Sequence, residues 1–375
     1  MRAASTARPS TARPSTSSRA ARARAASSRA PRPRRARRAR TRAASDERID
    51  FLSTTLIVDD LVFADGTTRM AVLGGGGPQT LFGAAVTSDG ELTLGLVAGV
   101  GEGDCPETCA RWLADIGAEA FLLTLGTSTP RAWQITERDG RRTQVWRLDA
   151  SDALYSMLRP KYAIWPEKCK RAKAVHFGLN PSRPDVELVQ ALREGGCGFI
   201  SIEPFTHAAA PLSRNDLENL VSMGDVFSPN EREARSFFAE GEGLSPKDLI
   251  KAMCKAGATI CCLRRGSRGA MVYDSRTNEG YECEALSANV VDETGCGNAF
   301  CGAFAAALSQ GATIRDGLIR GTVAASIMLE HVGVPNGTLD EYRAEAARRA
   351  NLINPVAFSI DEERSAFVDF DEYIP

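Results

Sequence analysis

From residue 51 onward, short β-prone apolar runs alternate with amphipathic stretches at intervals of roughly 20 to 30 residues, and this alternation restricts the fold more than any other feature. Candidate strands are STTLIVDDLVF, LTLGLVAGV, AFLLTL, AVHFG, GFISIEP, DVFSPN, ATICCLR and GAMVY. Between them lie candidate helices such as CPETCARWLADIG, DVELVQALREGG, SRNDLENLVSM, EREARSFFAEG and SPKDLIKAMCKAG, several of them followed by glycine at a plausible C-cap. That spacing leaves room for a crossover helix between parallel strands. The expected class is α/β, with a mostly parallel central sheet covered by helices on both faces. Two segments break the rhythm. WQITERDGRRTQVWRL and LVFADGTTRMAVL each place an Asp-Gly turn between β-prone arms, so they read either as a small antiparallel lid near residues 61–73 and 131–148 or as two surface hairpins.

The stretch DETGCGNAFCGAF, residues 292–304, carries the sharpest chemical signal. SANVVDETGCGNAFCGAFAAALSQG reads as a β-prone arm, a glycine-punctuated turn and a helix, with Phe300, Ala303, Phe304, Ala307 and Leu308 on one apolar face. Gly295 and Gly297 leave backbone N–H groups unobstructed where the helix dipole favours an anion. A Gly-x-Gly turn alone often serves packing only. Asn298 follows it, and an amide can orient a hydroxyl but has no basic form near neutral pH.

Taken with three other stretches, this turn resembles the PfkB family of carbohydrate kinases in the ribokinase-like superfamily. Asp292, Thr294, Gly295, Cys296, Gly297 and Asn298 stand in a DTxGAGD-type signature, and VFSPNEREA matches a PNxxEA element through Asn230 and Glu233. CCLRRGSRGAMVY resembles the loop that borders the nucleotide, with Gly266 and Gly269 in its glycine positions, and GFISIEPF ends a central strand with Glu203 in the acidic place. LGGGGPQTLFGAAV resembles the GGxxxN substrate loop, with Gly74 and Gly75 matching and Gln79 in the Asn position; Asp59, ahead of Asp60, falls where a substrate-hydroxyl ligand is expected.

The resemblance spans about residues 51–336 and implies ATP and Mg2+ as cofactors, with Glu233 acting indirectly on the metal. It also implies an anion hole at Gly295, Cys296 and Gly297, and a sugar-like substrate. The signature's last Asp serves as general base, and here it is Asn298. Fungal PfkB-like proteins of the killer-maintenance type share a similar GCGN turn and an IVDD strand, which places the chain in a divergent branch. Two functional expectations follow: a kinase of reduced rate, or a catalytically inactive kinase fold that senses nucleotide or sugar, or acts as a scaffold in an organelle complex. The second resembles the fructokinase-like proteins of plastids.

Composition limits the remaining possibilities. Residues 1–45 hold fourteen Arg and no Asp or Glu, which leaves 32 basic against 47 acidic residues in the rest of the chain. This Arg-, Ala-, Ser- and Pro-rich segment cannot build a packed core and reads as a disordered transit peptide. Chloroplast is expected ahead of mitochondrion, and a basic nucleic-acid tail or nuclear signal is the lesser expectation. No run approaches the ~18 apolar residues of a membrane span. Ten Cys and three His lack the spacing of a metal site, so the cysteines read as small buried residues of a reducing compartment, and His176 in AVHFG as a satisfied structural residue. Residues 46–336 are expected to form the kinase-like domain and 337–375 a C-terminal helix and acidic tail. Pairing with a second copy through the lid, or membership of a complex, is left open.

Overall fold

The computed structural model describes residues 48–88, 92–138, 142–147 and 152–360, all within one compact unit, residues 45–375. The basic segment, the Asp139-Gly140 turn and the acidic end of the tail lie outside the described residues.

The strands, in chain order, are β1 (Phe51–Thr54), β2 (Ile57–Val62), β3 (Thr68–Gly74), β4 (Leu94–Gly101), β5 (Ala118–Gly126), β6 (Arg131–Thr136), β7 (Arg142–Trp146), β8 (Ala174–Leu179), β9 (Phe199–Pro204), β10 (Val226–Phe227), β11 (Ile260–Arg264), β12 (Ala270–Asp274), β13 (Glu279–Cys283) and β14 (Val356–Phe358). The main sheet runs β14-β13-β12-β11-β10-β9-β8-β1-β4-β5. Pairs from β11 through β5 are parallel, and β12, β13 and β14 continue the sheet antiparallel.

Neighbouring residues along the central strands enter different cores, as period-two geometry requires. Leu52, Val97 and Cys261 pack with Leu188, Leu217 and Leu249 from the helices Val186–Glu194, Arg214–Ser222 and Pro246–Lys255. Phe51 and Leu96 pack instead with Leu81 and Ala305, from the helices Gly76–Thr87 and Cys296–Ser309. This is the expected α/β architecture with helices on both faces. Local signals start these helices where the sequence suggests: Asp185 accepts from Leu188 N, and Ser245 forms a reciprocal capping box with Asp248.

Several local expectations need correction. STTLIVDDLVF is two strands in two sheets, because Thr55 takes a left-handed φ of 79° and turns the chain out of the main sheet. The small sheet, β3-β2-β6-β7, is mixed: its two hairpins are joined by parallel pairing of β2 with β6. SANVV forms no strand; Val290 and Val291 are exposed, and the amides of Val291 and Asp292 bond Leu329 O. EREARSFFAEG yields only the short helix Glu231–Arg235, after which Arg235 turns back to the carbonyls of Gly241 and Leu244. In the C-terminal segment, Val356–Phe358 docks as an edge strand on β13 behind the helix Leu339–Ala350.

A β-branched residue at positive φ is strained by about 1–2 kcal/mol. Thr55→Gly is therefore expected to raise stability by about 1 kcal/mol, the glycine's extra unfolded-state entropy offsetting the remainder. Chemical denaturation of both proteins checks this; an unchanged or lowered midpoint would show that Thr55 contributes more through its side chain than it costs in backbone strain.

Candidate active site

The helices Gly76–Thr87 and Cys296–Ser309 begin side by side. Gly75 (φ 88°) and Gly295 (φ 82°) precede them in conformations that favour glycine, and neither helix has an acidic residue in its first turn. Upstream of the second helix, Asp292 Oδ1 accepts from Thr294 N at 2.9 Å and closes an Asx turn. The helix ladder starts with Ala299 N donating to Gly295 O, and of the amides before it Cys296 N donates to Glu293 O at 3.4 Å. Gln79, buried on the first helix, accepts a hydrogen bond from Asn298 Nδ2 at 2.5 Å. A Cβ on Gly295 would lie 2.2 Å from the Gln79 amide carbon, so the turn fits only as glycine. The two departures from the family pattern, Gln79 and Asn298, thus form one amide pair. Asn298 Oδ1 faces the second glycine-rich loop, where a Cβ built on Gly76 would lie 3.7 Å away.

On the opposite side of the anion turn stands Arg264, the last residue of β11. A Cβ on Gly297 would lie 2.1 Å from its Nη1. Its Nη2 donates to Ser228 O at 2.9 Å and lies 3.0 Å from Glu203 Oε2 and 3.6 Å from Glu233 Oε2. Burial disfavours the guanidinium, but Cys301, Glu203 and Glu233 outweigh it and hold its pKa above the ordinary arginine value. Burial likewise raises the Glu203 carboxyl, and Arg264 and His176 reverse that to a net lowering.

Behind Glu203 lies a polar cluster that the sequence did not single out. His176 Nδ1 is 3.0 Å from Ser201 Oγ and Nε2 is 3.4 Å from Glu203 Oε1, while Cys301 Sγ is 3.4 Å from both Glu203 Oε2 and Ser228 Oγ. His176 is fully partnered, as expected of a structural histidine. The His176, Glu203 and Cys301 ligand atoms all lie within 4.8 Å of one another. With Arg264 at 3.0 Å from Glu203, however, a resident cation already supplies the positive charge a metal would bring. Glu203 entered through the family resemblance and His176 as a structural residue, whereas nothing local in the sequence pointed to Ser201, Cys301 or Arg264.

Asn230 and Glu233 cap one another: Glu233 N donates to Asn230 Oδ1 at 2.9 Å and Asn230 N to Glu233 Oε2 at 2.7 Å. Asn230 N–H and Arg264 both address the same Glu233 oxygen, Oε2. Burial raises the Glu233 pKa to about 7, against the lowering effect of Arg264 and the Asn230 amide. Gly266 (φ 59°) and Gly269 (φ 82°) bracket the turn between β11 and β12; Gly266 faces open space, and a Cβ on Gly269 would meet Cys283 O at 1.9 Å.

In the small sheet, Asp59 is buried and its Oδ1 accepts from Gln134 Nε2 at 3.0 Å, while a Cβ on Gly74 would meet Asp59 Oδ2 at 1.9 Å. Gln134 Nε2 also reaches Gln144 Oε1 at 3.2 Å, and the buried Gln134 Oε1 has no hydrogen-bond partner. Asp60 is structural, pairing with Arg147 and accepting Ala71 N at 2.8 Å.

A mostly parallel sheet with helices on both faces, a second small sheet and a glycine turn at a helix N-terminus define a ribokinase-like α/β protein. Ribokinase from Giardia lamblia superposes with a TM-score of 0.63 at 19% identity, covering 80% of this chain and 99% of that one. Arabidopsis thaliana ribokinase complexed with ribose and ATP does so at 0.57 and 19%, covering 80% and 97%. Residues 119–341 match the pfkB family carbohydrate kinase, and the chain belongs to that family. Cytidine kinase of Thermococcus kodakarensis is 26% identical over 260 residues, 69% of this chain and 88% of the relative. MAK32 of Saccharomyces cerevisiae is 28% identical over 305 residues, 70% and 79% respectively.

Glu233 generates a pH prediction. Its folded pKa of about 7 stands above its ordinary value of 4.5, so between these the folded state holds a proton that the unfolded state has released. The group's stabilising contribution is complete below about pH 4.5 and is lost as pH rises through 7. Relative to Glu233→Gln, the wild type is expected to lose about 2–3 kcal/mol of stability across that window. Denaturation midpoints measured from pH 4.5 to 8 for both proteins check this, and parallel profiles would show that Glu233 ionises as an ordinary carboxyl.

Proposed function

We propose that the protein transfers the γ-phosphate of MgATP to a hydroxyl of a sugar-like or nucleoside substrate, at a rate limited by the loss of the base at Asn298. The observation that carries this reading is the preserved anion turn, Gly295–Cys296–Gly297 at the start of a 14-residue helix, set beside the Gln79–Asn298 pair. The glycine backbone accommodates phosphate oxygens and the helix dipole favours their charge. The divalent ion enters as part of the MgATP substrate, with Glu233 acting on it indirectly. Asp59, held by Gln134, and the unpaired Gln134 Oε1 offer acceptors for substrate hydroxyls from the small sheet.

Phosphoryl transfer draws most of its acceleration from positioning and charge stabilisation, so a site lacking its base keeps part of its rate. A missing general base costs ~10² to 10⁴. The amide at residue 298 also supports a second reading, that of a nucleotide or sugar sensor acting in a complex. The composition of residues 1–45 supports delivery to a plastid, which N-terminal sequencing of the native protein tests: a start near Met1 would remove the address.

An amide and a carboxylate share a shape, so Asn298→Asp restores a base at nearly constant volume. It is expected to raise phosphoryl transfer by ~10² or more, with ATP affinity held within a few-fold. ADP release is measured for both proteins against a panel of sugars and nucleosides. Undetectable rates in both would favour the sensor reading, and a wild-type rate already in the ordinary kinase range would show that the base is supplied elsewhere.

A further inference from the structure

Arg264 is placed in a way that a buried structural arginine does not require. Ser228 O, which accepts its hydrogen bond, and the paired carboxylates of Glu203 and Glu233 all lie on the side of Nη2. Nη1 points the other way, against Gly297, and among the described residues it forms no hydrogen bond. Nε is fully buried and likewise without a partner. The guanidinium therefore faces the positive end of the helix Cys296–Ser309, whose first turn holds no acidic side chain. A cation at a helix N-terminus is electrostatically opposed, and that opposition turns to attraction when an anion sits between the two.

We propose that Arg264 is a phosphate ligand: Nη1 and the backbone amides of the Gly295–Asn298 turn grip the distal phosphates of the nucleotide from two sides, while Glu203 and Ser228 O hold the guanidinium in place through Nη2. This inference rests on the reading of the turn as a nucleotide phosphate site and adds to it a fixed side-chain cation. Arginine suits the task because its fork bonds in two directions at once, and a lysine ammonium drawn to Glu203 has no second nitrogen to offer the turn. Gly297 is then required twice, once for backbone approach to the phosphates and once to admit Nη1.

The full-length protein is titrated calorimetrically with MgATP and, separately, with adenosine, as wild type and as Arg264→Lys, which retains the buried charge beside Glu203. Loss of a charge-assisted contact is expected to weaken ATP by about 10- to 100-fold in the variant, with adenosine affinity within about threefold and the melting temperature close to wild type. Equal weakening of ATP and adenosine, or no change in either, overturns the assignment while leaving the nucleotide site standing. A wild type that binds neither ligand overturns both.

Should the lysine variant fail to fold, the unmodified protein supplies the same decision. The Arg264 Nε–H resonance, assigned by isotope labelling, is expected to shift on addition of ATP and not of adenosine. A resonance that ignores ATP, or that follows both ligands alike, refutes the contact.

Discussion

The site depends on how closely two helices pass. A Cβ on Gly83 would stand 1.9 Å from Ala299 O, and a Cβ on Gly302 would stand 1.9 Å from Thr80 O, so each helix offers a glycine to the other's backbone. No larger residue permits that approach without moving a helix. Because these helices are the ones that begin at Gly76 and Cys296, their proximity carries the glycine-rich loop before the first to the glycine turn before the second. The 2.5 Å contact between Asn298 and Gln79 follows from the crossing. Two glycine-rich loops more than 200 residues apart in sequence are thus brought together by the two glycine contacts.

The second constraint is electrostatic. Glu203, Arg264, Glu233, His176 and Cys301 sit together, on β9, β11, the short helix Glu231–Arg235, β8 and the helix Cys296–Ser309, almost wholly removed from water. Placing charges there costs several kcal/mol each, and removal of one partner strands the others. Such a cluster is a poor way to stabilise a core, since apolar residues of the same volume commonly serve as well. What it provides is a fixed orientation: Nη2 donates to Ser228 O and pairs with Glu203 and Glu233, so Nη1 is turned toward the glycine turn. Glu233, with its pKa near 7, is the member whose charge is least settled, and it is also the residue that caps the short helix Glu231–Arg235.

The architecture was legible where it depended on period and spacing. Alternation announced the parallel sheet, amphipathic segments such as those beginning at Asp185 and Ser245 announced helices, and the glycine turn announced the helix at residue 296. What could not be read was whatever depended on partners distant in the chain. The break at Thr55 is invisible locally because the run STTLIVDDLVF stays β-prone throughout; only the demands of two sheets divide it. SANVV has the composition of a strand, but the amides at its end bond Leu329 O instead of a sheet. Arg264 reads as one of two consecutive arginines before a loop. Its burial, and the separation of its two Nη groups between carboxylates and turn, arise only when β9, β11 and the anion helix converge.

The amide pair sets a limit on the chemistry that follows from hydrogen-bond direction. Asn298 gives its N–H to Gln79, which leaves Oδ1 as an acceptor facing the loop at Gly76. That oxygen can receive a substrate hydroxyl and hold its lone pairs toward a phosphoryl group, but it cannot carry the proton away at neutral pH. A carboxylate at 298 has no N–H to give, so Gln79 would have to turn its amide and donate instead. Glutamine permits this because its two ends have nearly the same shape. The pair is therefore consistent as amide with amide and adaptable to carboxylate with amide, whereas a rigid acceptor at residue 79 would have made the exchange costly. In the proposed transfer, this arrangement would orient an acceptor hydroxyl without activating it, so the proton would leave late, as the phosphorus–oxygen bond forms and the hydroxyl becomes acidic. A loose phosphoryl-transfer transition state tolerates that order, since it asks little nucleophilicity of the incoming oxygen.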